Sequence, residues 1–137
     1  MKIAGFEGVE QLANLRTDLA GGTFVVYGGV EPAGPDGVLV SDTVLATLTF
    51  QTPAFAATTL VSNFEQMSAQ FVAASVMPTA AGTAGFVRCF KSDGVSAACD
   101  LTVGVGTGDV QFANTLAIST SYPLGPVTWT VKSPVNQ

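Results

Sequence analysis

Cys89 and Cys99, the carboxylates of Asp93, Asp100 and Asp109, and the glycine-rich run Gly104-Val-Gly-Thr-Gly-Asp109 are the places in this 137-residue chain where residue type and spacing could do chemistry. The cysteines lie on either side of Ser92-Asp93-Gly94. Residues 86–91 and 97–103 flank that turn and read as two strands of a hairpin, with Asp93-Gly94 as the tight turn: glycine tolerates positive φ and aspartate bonds its own backbone. With a plain two-residue turn Cys89 faces Ala98; a one-residue bulge would bring Cys89 beside Cys99. Two readings follow, a pair of small buried thiols or a cross-strand disulfide. The thiols are preferred, because a cytosolic product keeps cysteines reduced.

The glycine run resembles a phosphate loop only in its glycines. A dinucleotide loop needs a helix directly after it, whereas residues 110–120 are strand-like, and no Gly-Lys-Ser/Thr follows. It is read as a flexible turn. Glycosidase chemistry needs two carboxylates facing across one pocket, and nothing in the spacing makes Asp93, Asp100 and Asp109 converge. Calcium would need a loop spacing that is missing. The chain has no histidine, which removes Ser-His-Asp and Cys-His catalysis and most zinc sites, and there is no Cys-x-x-Cys. The expectation is no catalytic residue, no cofactor and no metal.

The elements that position these residues are short strands. The returning strand of the hairpin alternates Ala97, Cys99, Leu101 and Val103 against Ala98, Asp100 and Thr102, while the outgoing strand is apolar on both faces, as for a strand covered on both sides or lying at a subunit contact. Residues 23–28 (TFVVYG) are a β-branched and aromatic strand. Residues 44–51 put Val44, Ala46, Leu48 and Phe50 on one face, and Pro53 closes the strand. Residues 54–60 read as an edge strand or irregular arm. Residues 65–77 are ambiguous between helix and strand, with a strand at 70–76 favoured. Residues 110–113 and 115–120 are brief strands, and 127–132 alternates Val127, Trp129 and Val131 inward. Only residues 10–19 look helical, with Leu12, Leu15 and Leu19 on one side and Gly21-Gly22 as the stop. The expected fold is all-β, a two-sheet sandwich of the jelly-roll or Greek-key kind with one short N-terminal helix. Residues 1–9 form an arm, 10–134 a single domain and 135–137 a tail.

Charged residues make up 11% of the chain, against roughly a quarter in ordinary domains. Between Asp42 and Arg88 the only charge is Glu65. Such a span suggests an outside covered by another subunit, or else a surface of Ser, Thr and Gln. The net charge of −5 offers no basic patch for nucleic acid. Residues 1–9 have no apolar leader core and no stretch reads as a membrane helix, so synthesis in the cytoplasm without membrane attachment is expected.

Several motifs, in order, make the chain similar to a family of small virion proteins of tailed phages. They are the strand Phe24-Val-Val-Tyr27-Gly28-Gly29, the loop Glu31-Pro-Ala-Gly34-Pro35 and the strand Val44-Leu-Ala-Thr-Leu-Thr-Phe50. Then come Gly-Thr-Ala-Gly at 82–85 followed by Phe86-Val-Arg88, the turn at 103–109, and the threonine-rich ending Thr128-Trp-Thr-Val-Lys-Ser-Pro134. The likeness covers about residues 12–134. Within that family it resembles capsid cement, or decoration, proteins: jelly-roll chains that sit as dimers on the outside of an icosahedral shell. The resemblance implies a non-enzymatic clamp bridging major capsid protein subunits, with a second copy of itself as partner. Candidate contact residues are Ile3 and Phe6 in the arm, Leu12, Leu15 and Leu19 in the helix, and Phe55, Phe64 and Phe71 in the low-charge span; each could equally be core. Two other classes stay open: a tail or head–tail connector component, and a carbohydrate-binding module using the loop aromatic Tyr122.

Overall fold

The computed structural model of the chain describes residues 2–3, 17–29, 43–56, 59–61, 64–73, 75–105, 107–112, 116–124 and 127–132. They form ten strands: β1 (Lys2–Ile3), β2 (Thr23–Gly28), β3 (Thr43–Phe55), β4 (Thr59–Val61), β5 (Phe64–Phe71), β6 (Gly82–Phe90), β7 (Ala97–Val105), β8 (Val110–Phe112), β9 (Ala117–Ile118) and β10 (Val127–Lys132). The all-β expectation holds. The two-sheet sandwich does not: β2-β3-β5-β10-β8-β7-β6 follow one another by hydrogen bonding, and β6 pairs back onto β2. The result is a closed seven-stranded barrel. Seven short strands alternating inward and outward fit a sandwich or a barrel equally well; only the pairings of β10 with both β5 and β8 decide between them.

The expected helix is not an element among the described residues. Residues 10–16, with Leu12 and Leu15, lie outside them. Residues 17–18 are helical, and 19–21 form a turn in which the Gly22 N–H donates to the Leu19 carbonyl at 2.8 Å and Gly21 takes φ +71°.

The interior is aromatic. Trp129 on β10 packs edge-on to Phe55 at 5.1 Å between ring centres and tilts against Phe50 at 6.2 Å, while Phe71 meets Phe24 at 4.9 Å. Leu19, Leu45, Leu48, Val87, Leu101 and Val110 fill the space between them. Trp129 is inward, as the alternation of its strand required, and β10 lies between two neighbours rather than at an edge.

One strand, β3, departs from its expected form in two places for local reasons. β3 carries a bulge: Val26 pairs with Ala46 but Tyr27 with Val44, so Leu45 is the extra residue. Beyond it the alternation reverses, with Leu45 buried and Val44 exposed. β3 also runs through Pro53 to Phe55, and register slips from Phe50↔Phe71 to Phe55↔Ala69. Pro53, which has no N–H to give to a ladder, falls inside that irregular stretch.

The glycine run builds an unusual junction. β7 and β8 are parallel, Val103 opposite Val110, although only residues 106–109 join them. Parallel neighbours ordinarily need a crossover of about a dozen residues or more. Here the chain doubles back so tightly that a Cβ on Gly104 would lie 2.5 Å from the Thr107 carbonyl oxygen, and Gly108 takes φ +80°. Asp109 clamps the junction: its backbone N–H donates to Thr102 Oγ1 at 2.9 Å, and its carboxylate accepts from the Thr102 N–H at 3.1 Å.

Candidate functional site: two outer faces of the barrel

The barrel has two different outsides. On β2, β6 and β7 both faces are buried: Phe86, Val87, Arg88 and Cys89 are all at most 4% exposed. This meets the expectation of a strand covered on both sides. Tyr27 stacks on Phe86 with ring centres 5.1 Å apart, and Val25 and Phe90 join them. In the next rung Val25 stands opposite Arg88, and Arg88 opposite Asp100. Arg88 Nε donates to Asp100 Oδ1 at 2.7 Å, and one terminal nitrogen, Nη2, donates to Oδ2 at 3.1 Å. This fork-to-fork pair is almost free of water, with side chains 5% and 0% exposed.

The sequence does contain the signal for that pair. β6 and β7 do carry a one-residue irregularity, with Phe90 opposite Ala97 and Cys89 opposite Cys99. The shift that pairs the cysteines on the inner face pairs Arg88 with Asp100 on the outer one. Both cysteines are free thiols, fully buried. Burial pushes the Cys89 thiol well up, helped by its hydrogen bond to Cys99 and by the negative charge of Asp100.

The turn that sets this register is not a two-residue one. Residues 91–96 form a wider loop, closed by the Lys91 N–H donating to the Ser96 carbonyl at 2.9 Å, with Gly94 at φ +74°. Asp93 accepts from the Ser96 hydroxyl at 2.6 Å and from the Val95 and Ser96 N–H groups at 2.8 Å each. The Ser96 hydroxyl and N–H, then the Val95 N–H, lower its pKa to about 2. The three aspartates therefore have three separate tasks: loop closure, ion pairing and clamping the parallel junction. Among the described residues no group of three or more Cys, Asp or Glu side chains is placed to hold a metal ion.

The opposite outside is exposed, and its described side chains are uncharged. Thr47, Thr49 and Gln51 point out from β3, Ser68 and Gln70 from β5, and Thr128 and Thr130 from β10. Ser68 and Thr130 stand opposite each other with hydroxyl oxygens 3.1 Å apart. The low-charge span thus supplies a Thr/Ser/Gln surface, one of the two explanations for its composition. Such a face accepts hydrogen bonds without the desolvation cost of buried charge.

The candidate contact residues separate into three groups. Leu19 and Phe55 are fully buried, and Phe71 is partly buried against Phe24 and Phe50. These three belong to the core, because an apolar side chain facing into a closed barrel has no path to a partner. Ile3 pairs its backbone with Cys99 of the same chain, and Phe64 pairs with Val61. Phe6, Leu12 and Leu15 lie outside the described residues. Tyr122 is 65% exposed, but no second strongly exposed aromatic accompanies it among the described residues. No protein-family model, curated protein or solved structure matches the chain.

Proposed function

We propose that this chain is a capsid cement protein that stabilises an icosahedral phage head by bridging major capsid protein subunits without covalent bonds. The observation that carries the reading is the outer face of β3, β5 and β10, whose described side chains are Thr, Ser and Gln, set on a barrel whose other side is already sealed by the chain itself. The ordered motifs that resemble tailed-phage virion proteins support it, as does a likeness in size to the cement protein of a Bordetella-infecting phage. In this reading the barrel sits on the capsid exterior after synthesis in the host cytoplasm, and a second copy meets it across a two-fold axis. Each contact contributes modestly, since apolar burial of about 25 cal/mol per Å² is offset by ordering costs. Repetition over the lattice makes many such contacts effective together.

Lysine substitutions on the face test this directly. T49K and Q51K place charge on exposed positions and leave the core alone. They should keep the wild-type melting temperature and lower occupancy on capsids lacking the native protein by about tenfold or more, about 1.4 kcal/mol in binding. Wild-type occupancy by both variants would remove this face from the contact. A tail or head–tail connector role is the second structural reading and differs in copy number. A carbohydrate-binding role would rest on Tyr122 alone.

A further inference from the structure

The geometry points to Cys89 and Cys99 as a disulfide site, closed by a low-molecular-weight disulfide such as oxidised glutathione while the β6–β7 hairpin is open to solvent. The inference does not depend on the proposed function.

The chain has only two cysteines, and one bulge puts them directly opposite each other on adjacent strands. Both are free thiols, fully buried on the inner face. Opposed residues of an antiparallel pair have Cα atoms about 4.5–5.5 Å apart, inside the range a disulfide spans. Their Cβ atoms, about 4.5–5.5 Å apart, must approach by about an ångström, which the irregularity beside them can absorb.

The step balances without any other reactant. The thiolate of one cysteine attacks a sulfur of the small disulfide, forming a mixed disulfide and expelling one small thiolate. The second cysteine thiolate attacks the protein sulfur of that mixed disulfide and expels the other. Two protein thiols and one small disulfide become one protein disulfide and two small thiols, the two cysteine protons passing to the released thiolates. Burial decides when this happens. Both thiols are fully buried in the closed barrel, so attack requires the hairpin before it packs, or after it opens. Once the barrel closes over the bond, small thiols lose access to it.

The full-length chain, unfolded and then refolded in excess oxidised glutathione, tests the site. Trypsin cuts after Arg88 and Lys91, so the cysteines fall on separate peptides that only a disulfide holds together. The expected product has lost two hydrogens in mass and has no alkylatable thiol after denaturation. It gives the joined peptides without reduction and keeps the Trp129 emission of the reduced barrel. Cys99→Ser, which cannot close the ring, should instead carry one glutathione on Cys89. Recovery of wild-type chain with two alkylatable thiols, with glutathione adducts, or with chain-to-chain disulfides would overturn the assignment.

Discussion

Asp100→Asn removes one charge from the Arg88–Asp100 pair and leaves the other buried. Both side chains are at most 5% exposed and joined by two hydrogen bonds, so solvent screening gives little relief. Removing one partner of such a pair costs about 3–5 kcal/mol, because a buried charge loses its opposite charge and two hydrogen bonds. Unfolding entropy of about 2.1 cal/mol/K per residue over 137 residues gives about 0.29 kcal/mol/K. The melting temperature should therefore fall by about 10–17 °C. Arg88→Met with Asp100→Leu replaces the pair by apolar side chains and should recover most of that loss, because the desolvation cost disappears with the charges. Thermal unfolding followed by circular dichroism, with urea unfolding for the free energies, supplies the double-mutant cycle. A cost below about 1 kcal/mol for Asp100→Asn would mean that the pair is solvated. It would refute the sealed outer face of β2, β6 and β7, and with it the reason for assigning contact to the opposite side.

Three further outcomes follow from local geometry. Gly85→Ala would put a Cβ 1.9 Å from the Gly29 carbonyl oxygen and should prevent stable folding, whereas Gly94→Ala has open space around it and pays only for φ +74°, about 1–2 kcal/mol by urea unfolding. Trp129→Ala empties the centre of the aromatic cluster and should cost about 3–5 kcal/mol; in the wild type, Trp129 emission should shift to the red on unfolding, since this only tryptophan is 2% exposed. Asp93 should titrate at about 2 by carboxyl NMR, below an ordinary 3.8. A lowered folded pKa stabilises the loop at pH values above 3.8, and that contribution is lost as pH falls through about 2. An Asp93 midpoint near 4 would mean that the Ser96 and Val95 hydrogen bonds are not formed.

Much of the local structure was legible where physics is local. β2 follows from six β-branched, aromatic and glycine residues and needs no partner to be recognised. The inward turn of Trp129 follows from period-two alternation, and the paired cysteines from counting residues across one possible bulge. What depended on partners was not legible. Leu45 reverses the face of β3 only because β2 slips register opposite it. Leu19, Phe55 and Phe71 were equally apt as contacts or core until the barrel closed around them. The turn at Asp93 widened because its carboxylate found three donors on Val95 and Ser96, a better arrangement than the two-residue turn that Asp-Gly alone suggests. Closure itself rests on long-range pairings of β10, and alternation carries no information about which strand lies next door.

The proposed cement role is tested most directly by counting this chain per major capsid protein subunit in purified virions, using quantitative mass spectrometry with isotope-labelled standards. A ratio near one, or another lattice-derived fraction of order one, is expected for a clamp repeated over the shell. A ratio below about one in twenty would place the protein at a tail or portal vertex, and its complete absence from the particle would contradict the virion role altogether.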